Sequence, residues 1–458
     1  MPTAPYTLIE DAVILNGKDK AFKGGVLIQS DRIVDVFRDN EHAVLPDEPI
    51  RRISASGQYL LPGVVDTHVH FRTPGLSHKA DISSESSAAL AGGVTSIMDM
   101  PNTLPQTTTQ EALIGKLELF DKDCLVNYGC YLGATNTNLD VIRDTDPGLY
   151  CGVKVFMGSS TGDMLVDREE ALKGIFRTSP RIIVAHCEDQ TEIQKDTQRL
   201  RQAYGQDDLP ACFHMQTRSR LACLKSTLKA VRMSKETGAR LHVAHVSTSE
   251  ELDIEDIINQ EPSDKRITLE ACVGHLMFQE ADYETRQSLI KCNPSVKTAQ
   301  DREALWKAVE EGVIDTIATD HAPHLYEEKQ GGALKALSGM PMLQFSLVST
   351  LEEAERRDIP LETVIEKMCL RPCQLFGIRD RGAIRKGMKA DLTLVERQAK
   401  PWTLLKEQIL SKCQWSPLEG SSFHYSVSKT FVNGHLAYTK EDGVLGLSQW
   451  AERLSCAL

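Results

Sequence analysis

Eight short, largely apolar runs recur through the middle of the chain, near residues 64 to 71, 94 to 100, 125 to 132, 152 to 157, 181 to 187, 240 to 246, 266 to 273 and 314 to 319. Stretches of helical period lie between most of them, such as Glu303-Ala304-Leu305-Trp306-Lys307-Ala308-Val309, and a further one, Leu361 to Met368, follows the last run. Strands that alternate with helices form a parallel sheet covered by those helices, and eight such units close most economically into a (β/α)8 TIM barrel. The expected fold class is therefore α/β. The two ends of the chain differ from this pattern. Residues 7 to 61 hold strand-like runs such as Thr7-Leu8-Ile9 and Gly25-Val26-Leu27-Ile28 with turns at Asn16-Gly17 and Ser30-Asp31, and residues 383 to 458 hold Ala390 to Val395 and Ser428 to Gly434. They read as two halves of one small β-sandwich formed by both termini, which assigns residues 1–61 and 381–458 to the sandwich and 62–380 to the barrel.

Several of the barrel runs carry an imidazole or a charge. The first ends in Asp66-Thr67-His68-Val69-His70. On a strand, a spacing of two puts both imidazoles on one face, so two nitrogens can converge on one point. A lone His-x-His is a weak sign of metal binding. Its weight grows because Lys154, His186, His245 and Asp320 follow in or at the end of later strand-like runs, and the C-terminal ends of barrel strands are where chemistry is built. Taken one at a time, each reads as an ordinary polar residue at a strand end. Lys154 is a cation and would repel a metal, so by itself it reads as half of an ion pair inside the barrel. His242, three residues before His245, points to the opposite face of a strand and is expected to have a packed or supporting role.

Composition narrows the setting. With 41% hydrophobic and 25% charged residues the 458-residue chain is an ordinary globular protein. Its net charge of −12 argues against a nucleic-acid partner and requires local cations wherever an anionic substrate binds. Met1-Pro2-Thr3-Ala4-Pro5-Tyr6 lacks signal-peptide architecture and no run of about 18 apolar residues occurs, so a cytoplasmic protein without membrane contact is expected. Its twelve cysteines show no repeated spacing, and Cys187, Cys272 and Cys292 sit in or beside apolar runs, which suits reduced thiols rather than disulfides or a cysteine zinc site.

Two histidines, then Lys, His, His and Asp in that order resemble the amidohydrolase superfamily. The resemblance implies two divalent metal ions, with zinc the expected metal. His68, His70 and Asp320 would hold one ion, His186 and His245 the other, and Lys154, carboxylated by carbon dioxide, would bridge them. A water shared by the two ions would then supply hydroxide at neutral pH, and Asp320 would be the catalytic acid and base.

Residues beside these ligands resemble the dihydroorotases within that superfamily. Phe71-Arg72 follows His70, and Met100-Pro101-Asn102-Thr103 follows the second run; an Arg and an Asn at the barrel mouth can together grip a carboxylate. Asp320-His321-Ala322-Pro323-His324, Lys291-Cys292-Asn293-Pro294-Ser295 and Ser338-Gly339-Met340-Pro341-Met342 look like further family segments. On that likeness Arg72, Asn102 and His324 would bind the substrate carboxylate and Asn293 the pyrimidine ring. The implied activity is the reversible hydrolysis of dihydroorotate to N-carbamoyl-L-aspartate, with a small molecule as the only partner; a homodimer is compatible with it. Two features depart from the commoner bacterial pattern: Lys154 stands where many relatives carry Asp, and Pro294-Ser295-Val296-Lys297 replaces a Pro-Pro-Leu-Arg run. The lysine also occurs in hydantoinases and allantoinases, which are the rival readings, and a non-catalytic scaffold is the third. His275 has no expected role.

Overall fold

The computed structural model describes residues 5–39, 41, 45–158, 164–205, 209–261 and 265–456. The N-terminal region builds β1 (Tyr6–Asn16), β2 (Asp19–Gln29), β3 (Arg32–Arg38), β4 (Ile50–Ser54) and β5 (Gln58–Pro62). Then the barrel begins. Its strands are β6 (Val64–Val69), β7 (Val94–Asp99), a third position split into β8 (Asn127–Cys130) and β9 (Leu132–Gly133), β10 (Val153–Phe156), β11 (Ile183–His186), β12 (Leu241–Val243), β13 (Ile267–Cys272) and β14 (Thr316–Ala318). All neighbouring barrel strands pair in parallel.

Closure is made at the C-terminal ends of the strands. The His70 amide donates to His321 O at 2.8 Å and the His321 amide to His68 O at 3.3 Å, which ties the end of β6 to the residues after β14. Every residue of β6, β7, β10, β11 and β13 is buried. That is why these runs read as continuously apolar rather than alternating: helices cover one face of a parallel barrel and packed side chains fill the other. Local signals set the covering helices. Helix Ala299–Glu311 starts in a capping box between Thr298 and Asp301 and ends at Gly312, whose φ of 81° only glycine adopts freely.

The chain closes with β15 (Leu392–Thr403), β16 (Ser422–Val432), β17 (His435–Thr439) and β18 (Gly443–Val444). Both termini do form one β unit, as their sequence predicts. Its two halves are joined edge to edge through β5 and β15 into a single nine-stranded sheet, β18-β17-β16-β15-β5-β1-β2-β3 with β4 beside β1. Ile9, Ile14, Val26, Leu392, Leu394 and Phe431 give this sheet a core separate from that of the barrel.

A buried polar knot fastens sheet to barrel. The Asp391 carboxylate takes hydrogen bonds from Asn127 Nδ2 on β8 (3.2 Å) and the Asn433 amide (2.8 Å), and it pairs with Arg381. Arg381 also donates to Asn433 Oδ1 and to Glu452 Oε2, each at 2.8 Å. Glu452 lies in the last segment, which runs beside β8 through the Tyr128 amide to Glu452 O and the Leu454 amide to Tyr128 O. Removing one partner of a buried pair leaves the other charge uncompensated, at about 3–5 kcal/mol. Arg381→Ala is expected to lower unfolding free energy by about that amount in urea titration, and a loss below about 1 kcal/mol would contradict the fastening role.

Candidate active site

The six residues expected as ligands come together at the C-terminal mouth of the barrel. His68 and His70 end β6, and their Nε2 atoms lie 3.3 and 3.1 Å from the same oxygen, Asp320 Oδ1. His186 Nδ1, at the end of β11, lies 2.9 Å from His245 Nε2 just past β12. Donor atoms of His68, His245 and Asp320 all fall within 4.8 Å of one another, so the two groups adjoin. Two donors on one tetrahedral zinc, with zinc–nitrogen bonds of about 2.0–2.1 Å, sit about 3.3 Å apart. The separations here match that spacing.

Lys154 on β10 stands beside both groups. It is fully buried, and its Nζ has no hydrogen-bond or ion-pair partner among the described residues. Burial pulls its pKa down, against the nearby Glu270 and Asp320 carboxylates. The His245 Nδ1 atom is likewise buried without a partner. That nitrogen faces away from His186, so of the two orphaned atoms it is Lys154 Nζ that stands among the nitrogen and oxygen donors a divalent metal would use.

Other groups aim the histidines. His68 Nδ1 meets Glu270 Oε1 at 2.7 Å and His70 Nδ1 meets Asn102 Oδ1 at 2.7 Å, so in each ring Nε2 is the nitrogen that faces the centre. Glu270, on β13, also accepts from the His245 amide at 3.0 Å. His186 Nε2 lies 2.9 Å from Glu188 Oε2. Burial drives His70 down to about 4 and lowers His186 and His245 as well, which keeps these rings unprotonated at neutral pH, the form that binds metals. His242 takes the supporting place expected of it: its Nδ1 bonds Thr268 Oγ1 at 2.9 Å, and its Nε2 lies 3.7 Å from Glu270 Oε2.

Around the mouth lie the residues expected to hold substrate. Arg72 is 3% exposed; its Nε donates to Pro323 O at 3.1 Å and its Nη2 lies 3.2 Å from His324 Nε2. No carboxylate lies within ion-pair distance of it among the described residues; burial lowers its pKa to about 10, against the more distant Asp320 and Asp99 carboxylates, so it stays charged. His324 contacts Ser338 O through Nε2 (3.0 Å) and Lys79 Nζ through Nδ1 (3.2 Å). Burial, then the Arg72, Lys329 and Lys79 cations, hold it neutral. The close approach of segment 338–339 is possible because residue 339 is Gly: a Cβ there would stand 2.4 Å from Ala322 O. His275 has a structural bond, its Nε2 to Pro294 O at 2.9 Å.

The amidohydrolase family model matches residues 59–437, a span that holds all of these groups. The chain belongs to the amidohydrolase family. It is 33% identical to a dihydroorotase of Halobacterium salinarum over 80% of this chain and 84% of that one. It is 30% identical to an allantoinase of Deinococcus radiodurans over 92% and 95% of the two chains. Among solved structures, the L-hydantoinase of Arthrobacter aurescens superposes with a TM-score of 0.89 at 26% identity, covering 98% of this chain and 99% of that one. The protein is thus a cyclic amidohydrolase, of a metal-dependent kind.

The sequence reading missed Glu270 and Glu188. Each is an acidic residue in an otherwise apolar strand end, Leu269-Glu270-Ala271 and His186-Cys187-Glu188, and a buried acid beside a ligand-bearing strand is the signal that was available. For an amidohydrolase carrying this centre, loss of such an outer partner costs about 10–100-fold in metal affinity. Glu270→Ala should weaken zinc retention by that order in chelator competition, and unchanged retention would remove Glu270 from the centre.

Proposed function

We propose that this protein is a dihydroorotase, hydrolysing and re-forming the ring amide between dihydroorotate and N-carbamoyl-L-aspartate. The observation that carries the reading is the buried, charged Arg72, which has no carboxylate at ion-pair distance among the described residues. A guanidinium in that position asks for an anion, and the substrate's ring carboxylate is a matching bidentate acceptor. The rings hydrolysed by allantoinases and hydantoinases carry no such group. We assign residues 62–380 to the catalytic barrel and place the enzyme in the cytoplasm, in pyrimidine synthesis.

His68, His70 and Asp320 would hold one divalent ion and His186 and His245 a second, zinc in each case, with Lys154 between them. Once bound, the ions would polarise the ring carbonyl and make a water acidic enough to attack near pH 7. The remaining steps belong to the chain. Carbon dioxide adds to the unprotonated Lys154 amine, a proton leaves, and the resulting carbamate turns a repelling cation into an anion; burial, which favours the neutral amine, assists this. Arg72 holds the carboxylate with Asn102 and His324 beside it. Asp320 is the best exposed of the ligand set, its side chain 15% accessible, so it faces the incoming substrate. It takes the proton from the attacking water as the new carbon–oxygen bond forms, and returns it to the ring nitrogen as the carbon–nitrogen bond breaks.

A second reading rests on one observation: an allantoinase of Bacillus velezensis aligns over 95% of this chain, more than the Halobacterium dihydroorotase does, at 28% identity. Offering zinc-loaded protein dihydroorotate, allantoin and hydantoin in parallel separates the two, and preferential turnover of either neutral ring overturns the proposal.

Arg72→Ala should raise the KM for dihydroorotate by a factor corresponding to about 2–5 kcal/mol while metal content holds. Near-native efficiency in that variant would reject the carboxylate grip. Lys154→Ala should lose bound metal and nearly all activity, with partial recovery in added short carboxylic acids. An unmodified Lys154 by mass measurement in active, fully metallated protein would reject the carbamate.

A further inference from the structure

The Glu188–Arg218 ion pair lies outside the assigned ligand and substrate groups, yet it touches both. Glu188 follows β11, is completely buried, and sets Oε2 2.9 Å from His186 Nε2 and 2.8 Å from Arg218 Nη1. Arg218 immediately precedes Ser219, the N-cap of helix Arg220–Thr237. Its second nitrogen reaches the other side of the mouth. The neighbours of Asn293 favour one amide orientation: Oδ1 accepts from Arg218 Nη2 at 3.1 Å, while Nδ2 faces three acceptors, His214 Nε2 and Cys292 O at 3.0 Å and Ser338 Oγ at 3.1 Å. One lone pair of Oδ1 is then left to accept from a ring N–H.

We propose that the Glu188–Arg218 pair is a positioning device that holds His186 for the metal centre and Asn293 for the substrate ring at the same time. The inference rests on the site assignments proposed above. Its physical basis is the fork of the guanidinium: one Arg supplies two donors in a fixed plane, so the direction of the Glu188 carboxylate and that of the Asn293 amide are set together. Glu188 in turn fixes which nitrogen His186 turns toward His245, because a carboxylate at Nε2 leaves Nδ1 for the centre. Arg218 touches no reacting atom. It acts through its two neighbours.

The two functions of the fork can be separated. Arg218→Lys keeps a cation for Glu188 but lacks the planar fork, so it should leave zinc affinity within about 3-fold of wild type and raise the KM for dihydroorotate about 10-fold, with kcat little changed. Arg218→Met removes both arms, and zinc affinity of the apo-protein should also fall by about 10–100-fold in competition with a chromophoric chelator. Asn293→Ala should reproduce the KM effect alone. A zinc affinity that falls as the KM rises in Arg218→Lys, or values of both that stay at wild type, overturn the inference; Arg218→Lys decides this even if the Met variant does not fold. The zinc measurement is independent of substrate. If wild-type protein does not act on dihydroorotate while Arg218→Met alone loses zinc affinity, the function is wrong and the positioning of His186 stands.

Discussion

Desolvation of cations at the barrel mouth is the constraint on which the site depends. Buried acids close to it are already committed: Glu270 to His68, Glu188 to Arg218 and His186, Asp99 to Lys116 and the Phe71 amide, Asp66 to the amides of His68 and Thr319, and Glu85 to His321. Among the described residues, Lys154 and Arg72 have no carboxylate at ion-pair distance. An isolated buried charge is costly, several kcal/mol even after relaxation. On the proposed reading the two cases resolve differently: Lys154 would shed its charge and take up carbon dioxide, whereas a guanidinium cannot be deprotonated near neutral pH and would take an anion from the substrate.

Backbone strain is concentrated at the same place. Arg72, His245 and Asp320 have φ values of 63°, 40° and 47°, a region that residues with a Cβ seldom occupy and that costs of order 1–3 kcal/mol each. All three follow the end of a barrel strand, where a left-handed residue breaks the period-two alternation and redirects the next bond. The barrel supplies the restraint. His68 and His70 exchange backbone hydrogen bonds with His321, and Val246 donates to Glu270 O, so each strained residue is flanked by groups already fixed in a sheet.

This division explains what could be read from the sequence. The His-x-His pair, Lys154, His186, His245 and Asp320 were legible because strand period and strand ends are properties of the local chain, and their order along it carries over to the order around a barrel. The outer partners were not legible. Glu270 and Arg218 lie 202 residues from His68 and 75 from Asn293, and no local pattern says which ring nitrogen a distant carboxylate will face. Asn102 was expected to grip a carboxylate with its amide hydrogens; its oxygen turns out to orient His70, a duty that follows from the cross-strand position of the loop after β7 and not from the Pro-Asn-Thr motif. The terminal strands were recognisable singly, but their union through β5 and β15 depends on a pairing between residues more than 300 positions apart.

Specificity then follows from asymmetry. A pocket that only adds apolar contact separates substrates weakly, whereas a site holding a buried group that must be paired rejects any ligand that leaves it unpaired, by as much as about 10⁴–10⁵-fold. Arg72 is such a group. Its Nε and one terminal nitrogen are directed to Pro323 O and His324, which holds the plane of the guanidinium before any ligand arrives. Lys79, bonded to His324 and to Glu328 at 2.7 Å, holds that histidine in place, while burial and the neighbouring cations keep it neutral. On the proposed reading, a neutral cyclic amide would fit the metal centre but would bring the guanidinium no counter-charge. On that reading, a shared chemical centre with a private cation beside it would let one barrel separate carboxylated rings from neutral ones.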